Sequence, residues 1–259
     1  MKIVPARNGW LWLVKGFALF RKSPVTWLFL VLTYWMAMAL LGEIRYLGVA
    51  LSTVLLPAFS VSFMIVCAVL DRGAMLRPAL LASGFRSRLG TLLLLGALYL
   101  LSIGAALAIA SVADAGALLQ WVIVGQEPPA AAIRDGSVSR AFMLAAAAGT
   151  PILMAFWFAP VLVAWDRMGA GKSLFYSFFS VLRNWRAFLT YAGAFVLGGT
   201  VFLLLSAVVV VITGGQAGAM RFFGLAFTLL TLPTIFGSFY ASYRDIFPGS
   251  PVPQAPTST

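Results

Sequence analysis

The chain lacks histidine, has a single cysteine and carries few charged side chains. Of its 259 residues, 18 are basic and 7 are acidic, whereas roughly a quarter of the residues of a soluble domain are charged. Without histidine there is no imidazole base and no His-based zinc or haem site, and one cysteine excludes an intrachain disulfide. Hydrophobic residues make up 62% of the sequence, so the chain is predicted to have the lipid bilayer as its solvent.

Six long uncharged runs lie between the charged residues. Each run is long enough for a helix, which rises 1.5 Å per residue, to cross a hydrocarbon core of roughly 30 Å. The runs lack the alternating polarity of the strands of a membrane β-barrel. The predicted fold class is therefore all-α, a polytopic transmembrane bundle within a single domain over residues 1–247. The predicted spans are 24–42, 46–70, 89–113, 141–165, 188–213 and 222–243.

The basic residues are distributed unevenly between the two sides of this bundle. Alternate connecting segments hold 14 basic residues on one side and 4 on the other. Basic residues concentrate in cytoplasmic loops, so both termini are predicted to be cytoplasmic. No cleaved signal peptide is expected, because Lys15 interrupts the first apolar stretch and no small-residue cleavage site follows. The tail over residues 248–259 is rich in proline and is predicted to be disordered.

The segments before the first, third and fifth spans share one pattern. Each places a bulky apolar residue directly before an arginine, with a second basic residue within three positions. The preceding residues are amphipathic, which predicts interfacial helices on the cytoplasmic side. Basic side chains there gain about 1 kcal/mol each from anionic lipid, so the segments either only anchor the chain or bind headgroups. The candidate headgroup contacts are Arg21, Lys22, Arg86, Arg88, Arg183 and Arg186.

The even-numbered spans share another pattern. Pro57, Pro160 and Pro233 lie inside the second, fourth and sixth spans, and an acidic and a basic residue end each of them. Proline kinks a helix, so the three either curve the helices for packing, the favoured interpretation, or act as hinges. The acids are predicted to neutralise an adjacent arginine or to cap a helix end. Three pseudo-repeated units, each an interfacial helix and a helical hairpin, are the simplest account, and independent origins of the pattern remain the alternative.

Several of these stretches resemble a known group of proteins. They are IVPARNGWLWLVKGFALFRKSP, RPALLASGFRSRLGTLLLLGALYL and FWFAPVLVAWDRMGAGKSLFYSFFSVLRNWRAFLTYAG. They are similar to an uncharacterised family of proteobacterial six-span inner-membrane proteins, which implies a bacterial inner-membrane location. More distantly, the helix-plus-hairpin theme resembles the membrane region that accompanies some glycerophosphodiester phosphodiesterases. The resemblance implies fold and location, and supplies no catalytic residue.

The remaining motifs favour no chemistry. Gly169–Ser173 matches only the second half of a phosphate-binding loop, so no nucleotide is expected, and it is interpreted as a helix C-cap followed by a cap at Ser173. The basic residues are tied to membrane edges, which disfavours nucleic acid. No charged residue lies at the centre of a span, and a buried carboxylate relay is therefore not predicted. No cofactor or metal is expected.

Two functions are compatible with this sequence. The favoured one is a non-enzymatic structural or lipid-interacting protein, whose partners are anionic headgroups of the inner leaflet. The alternative is a transporter or exporter of a small apolar or amphipathic solute, with the proline-containing helices as its moving parts. A polar cavity lined by Ser, Thr and Gly would support the transporter, and a dry core would count against it.

Overall fold

The computed structural model describes residues 1–44 and 47–251, and within these residues every regular element is helical. In this described part of the chain, six stretches are long and apolar enough to cross a membrane, which confirms the predicted all-α bundle. The helices are α1 (Asn8–Lys22), α2 (Pro24–Gly42), α3 (Leu47–Asp71), the 3₁₀ helix η1 (Pro78–Arg86), α4 (Leu89–Asp114), α5 (Ala117–Val124), α6 (Ala130–Arg134), α7 (Ser137–Trp157), α8 (Ala159–Ala164), α9 (Ala170–Arg183), α10 (Trp185–Thr213) and α11 (Ala217–Ile246).

The spans are α2, α3, α4, the pair α7 and α8, α10 and α11. With 25 and 30 residues, α3 and α11 extend about 38 Å and 45 Å, more than the roughly 30 Å of hydrocarbon requires. Each is therefore long enough to cross the apolar layer with its acid-bearing C-terminal end outside it. We call this end of the bundle, which also carries α1, η1 and α9, the basic end.

The fourth span is broken rather than continuous. Helix α7 ends at Trp157, Phe158 leaves the helical ladder, and α8 begins at Ala159 with Pro160 in its first turn. The hydroxyl of Ser177 fills the break, because it donates to Met154 O at 2.8 Å and accepts from the backbone N–H of Phe158 at 2.8 Å. Pro160 thus starts a helix. Pro57 and Pro233 lie inside continuous helices, and so does a further proline, Pro151 of α7.

The core lies at the basic end, where the C-terminal halves of α3 and α11 meet α8. Aromatic rings connect these helices: Phe63 of α3 stacks on Phe236 of α11 with ring centroids 4.1 Å apart. Trp27 of α2 also stacks on Phe63, with ring centroids 6.0 Å apart. By contrast, α10 buries only Ala187 and Tyr191, so most of its length is available to lipid.

Each interfacial element packs closely on an even-numbered span. Helix α1 lies along α11, where Gly16 and Gly237 bring the two backbones together. The 3₁₀ helix η1 lies on α3, where Ser62 donates to Leu81 O at 2.7 Å and accepts from Gly84 N–H at 3.0 Å. Helix α9 lies on α7 through Ser177. The same contact, an interfacial element on an even-numbered span, thus occurs three times, as the threefold sequence pattern does. In one of the three cases the first helix of the chain, α1, packs on the last, α11.

Two sequence interpretations are corrected in α9. The helix begins at Ala170, with Gly169 as its N-cap, so Gly169 does not end the preceding helix and Ser173 lies inside α9 rather than capping it.

The hydroxyl stripe of Ser173, Ser177 and Ser180 is fully buried, whereas the apolar stripe faces outward, with Phe175 61% exposed. Lipid surrounds this surface, so the polar face turns to the protein and the apolar face to the bilayer.

The side opposite the basic end and the tail add little mass to the bundle. A short helix, α5, follows α4 on that side. Before α7, the Asp135 carboxylate accepts from the backbone N–H of Ser137 at 2.8 Å, and this hydrogen bond lowers the pKa of Asp135 below its ordinary value. At the other end, Ser250 of the predicted tail donates to Asp166 at 2.9 Å, and residues 252–259 of that tail lie outside the described residues.

Candidate functional site

The six candidate basic side chains are all exposed at the basic end, and they have different surroundings. Lys22 donates to the carbonyl oxygen of Leu70 at 3.1 Å, and Arg88, at the start of α4, donates to the carbonyl oxygen of Arg167. Within residues 1–44 and 47–251, Arg21, Arg86, Arg183 and Arg186 contact no carboxylate. The six residues form three groups on separate elements: the end of α1, the junction of η1 and α4, and the junction of α9 and α10.

The acids that end the even-numbered spans accept hydrogen bonds from other helices of the bundle. Asp245 of α11 accepts from Trp12 Nε1 at 2.8 Å, Asn8 Nδ2 at 3.0 Å and Lys15 Nζ at 3.1 Å, all on α1. Asp166 accepts from Tyr243 Oη at 2.7 Å. For Asp245 and Asp166, the predicted role beside the adjacent arginine is therefore corrected, because their partners come from other elements.

Asp71 and Asn184 extend this network. Asp71 accepts from Tyr240 Oη at 2.9 Å, which joins α3 to α11. Asn184, at the junction of α9 and α10, accepts from the Val4 backbone N–H at 2.8 Å and donates to Ser180 O at 2.9 Å. These hydrogen bonds between residues far apart in the chain hold the helices in position at the basic end.

An apolar groove lies between α7, α9 and α10, directly beside the third basic group. Its volume is about 640 Å³, within the range of pockets that hold small ligands. Two positively charged residues lie near the end of the groove that is closest to the basic end. Arg183 is the last residue of α9, and the guanidinium of Arg186 lies 5.5 Å from the ring centroid of Trp185. The lining residues are Thr150, Leu153, Met154, Trp157, Val181, Leu182, Trp185, Phe188, Leu189, Tyr191, Ala192 and Phe195.

A second apolar cavity of about 240 Å³ lies deeper, at the break between α7 and α8. Pro57 and Pro160 both line it, and Pro233 does not. Leu153 and Trp157 line both this cavity and the groove, so Trp157 stands between the two spaces. The polar residues in the cavity lining are Ser60 and Tyr99, and the other residues are Leu56, Phe156, Ile235, Phe236 and Phe239.

Sequence reasoning found the basic residues of this site and missed its apolar part. Thr150 and Trp157 belong to α7 and Val181 to α9, and nothing in their local sequence indicates that they share a surface with α10. One signal was present: Ser177 recurs at helical spacing among hydroxyl residues in an otherwise apolar environment, which is typical of a buried hydrogen-bonding face. Extended across α9, that face leaves the opposite side of the helix for lipid.

Comparison with known proteins identifies relatives of the whole chain. No family model matches it, and no solved structure matches it. A probable inner membrane protein of Burkholderia thailandensis is 34% identical over 267 aligned positions, which cover 96% of this chain and 95% of the relative. The more distant likeness to phosphodiesterase membrane regions has no support. With six apolar helices and a relative of this similarity, the chain belongs to the proteobacterial inner-membrane protein family that includes the Burkholderia protein.

Proposed function

We propose that the protein is a non-enzymatic membrane protein that binds anionic phospholipids at its basic end. The observation that carries this proposal is the pair Arg183 and Arg186, which are exposed beside an apolar groove. Neither is paired with a carboxylate in the part of the chain that the structure describes. An unpaired guanidinium at a membrane surface attracts anionic headgroups and can bind a phosphate through two parallel N–H donors.

The apolar residues beside these arginines support the same proposal. Phe175 and Trp185 are 61% and 51% exposed, and aromatic rings favour the headgroup region of a bilayer. At the start of α10 the exposed Trp185 ring lies against Arg186, and Phe175 exposes a further ring on α9. A lipid bound there would contact cations at its headgroup and rings at the upper part of its chains.

Neutralising the two arginines is expected to reduce lipid retention. In the double variant Arg183→Gln/Arg186→Gln, phosphatidylglycerol retained by the protein in native mass spectrometry should fall about thirtyfold, since two cations at roughly 1 kcal/mol each contribute roughly 2 kcal/mol. The matched control is Arg134→Gln/Arg140→Gln, which removes two arginines at the opposite end of α7. Equal retention by the two double variants would contradict the proposal.

We propose further that the basic end faces the cytoplasm. The support is the concentration of 14 of the 18 basic residues on this side, which is typical of cytoplasmic segments. A C-terminal fusion to green fluorescent protein should be fluorescent in cells, whereas a C-terminal fusion to alkaline phosphatase should be inactive. The opposite pair of results would overturn this orientation and would assign the lipid site to the outer leaflet.

The transporter hypothesis receives less support. It requires a polar path, and the two membrane-depth spaces described above are lined almost entirely by apolar side chains. Pro57 and Pro160 do line the second apolar cavity. Pro160, however, lies in the first turn of α8, and Ser177 already supplies the hydrogen bonds at the break between α7 and α8. These contacts favour a packing role for the prolines.

A further inference from the structure

We infer that the groove between α7, α9 and α10 holds one acyl chain of an anionic phospholipid, whose phosphate is bound by Arg183 and Arg186. This inference rests on the proposed function and assigns it a single defined site. The occupant is a phospholipid of the leaflet at the basic end, rather than a free fatty acid or another protein. Three features of the groove argue for this: its depth, its walls and the charge at its mouth.

The depth of the groove matches one leaflet. Along α10 its lining extends from Trp185 to Phe195, which corresponds to about 15 Å of helix. This is half of the roughly 30 Å hydrocarbon core. A chain that begins at the headgroup level beside Trp185 would therefore end near the midplane, beside Phe195 and Thr150.

The walls of the groove are formed by three helices rather than by a single flat face. Leu153 and Trp157 of α7 line one side, and Val181 and Leu182 of α9 line the basic end. Trp157 is held in place by edge-to-face contacts with Phe188 and Tyr191, with ring centroids 5.8 Å and 5.9 Å apart. An apolar groove of this shape gives a flexible chain packing contacts on three sides, and because the surrounding lipid tails are equally apolar, these contacts rather than the hydrophobic effect favour the bound chain.

The charge at the mouth selects the headgroup. Arg186 stacks on Trp185, which itself lines the groove, so its guanidinium is held where a lipid phosphate would lie. Arg183 ends α9, whose preceding residue Leu182 also lines the groove. The cavity beside Lys22 differs, because Ser23, Thr26 and Gly73 are among its lining residues and Lys22 already donates to a backbone carbonyl.

Two adjacent residues of α10 provide a matched test. Ala192 lines the groove, whereas Gly193 is exposed and a side chain added there meets no atom within 4 Å. In Ala192→Phe the ring should fill the groove, and in Gly193→Phe it should extend into bulk lipid. Both proteins would be reconstituted in nanodiscs containing phosphatidylglycerol and phosphatidylcholine, and retained lipids would be counted by native mass spectrometry after gentle release.

The expected result is one retained phosphatidylglycerol per chain in the wild type and in Gly193→Phe, and about tenfold less in Ala192→Phe, because the ring would occupy the space of the chain; a tenfold loss corresponds to roughly 1.4 kcal/mol. Normal retention in Ala192→Phe together with loss in Arg183→Gln/Arg186→Gln would overturn the groove and leave the proposed function intact. Normal retention in both would overturn both proposals. Equal retention of phosphatidylcholine would overturn the headgroup assignment, and displacement of phosphatidylglycerol by oleate would show that a fatty acid is the occupant instead. A matching melting temperature for Ala192→Phe and Gly193→Phe establishes that both variants are folded.

Discussion

Replacing Gly16 with valine is expected to detach α1 from α11 and to destabilise the protein severely. A carbon atom added at Gly16 would lie 2.5 Å from the backbone nitrogen of Ser238 and 3.0 Å from the carbonyl carbon of Gly237. These are backbone atoms of a helix, which cannot move aside as a side-chain end can. Overpacking at such a site costs about 3 kcal/mol or more, which corresponds to a melting temperature lower by roughly 10 °C.

Thermal unfolding of the detergent-solubilised protein would measure this effect. Gly193→Val is the matched control, because it also introduces valine into a helix and the added carbon meets no atom within 4 Å. Its melting temperature should stay within about 2 °C of the wild type, since exposed substitutions usually change stability by less than 0.5 kcal/mol. Similar losses in both variants would show that the contact between Gly16 and Gly237 is unimportant.

Replacing Asp245 with alanine is expected to have the next largest effect, about 3 kcal/mol, because it removes the acceptor of a buried indole N–H and of a side-chain amide. Trp12 is fully buried and donates to Asp245 at 2.8 Å, as Asn8 does at 3.0 Å. Lys15 is half exposed, so its ion pair with Asp245 is screened by water and contributes little.

A double-mutant cycle separates these contributions. Trp12→Phe removes the indole N–H, so Asp245→Ala should cost about 1 to 2 kcal/mol less in the Trp12→Phe background than in the wild type. Lys15→Met should lower stability by less than about 1 kcal/mol. The measurement is the shift in melting temperature of each variant. Additive losses for Trp12→Phe and Asp245→Ala would mean that the hydrogen bond does not stabilise the fold.

The sequence predicted the membrane spans closely, because the physical requirement is local. A span needs about 20 apolar residues, and the predicted range 24–42 coincides with α2. The fourth span was the exception. Its apolar run is unbroken, but the structure ends α7 at Trp157, because Ser177 of another helix supplies the hydrogen bonds that the backbone gives up there.

The contacts between helices could not be predicted in the same way. Small residues in spans permit close approach, and Gly193, Gly198 and Gly199 all lie in one span, α10. In the structure these glycines meet no neighbour, whereas Gly9, Gly16 and Gly237 do. Whether a glycine contacts a neighbouring helix depends on which helix lies opposite, and the sequence of one helix does not contain that information.

Composition and the length of the apolar runs are enough to establish a basic-ended, six-span helical membrane protein, because they set which solvent the chain requires. Only the assembled helices show where Asp245 and Asp166 find their partners, which face of α9 is buried, and how α7, α9 and α10 enclose a groove beside Arg183 and Arg186. Apolar helices are all compatible with lipid, so composition does not determine how they pack. Their arrangement is set by packing and by hydrogen bonds between residues far apart in the chain, and those become visible only when the helices are assembled.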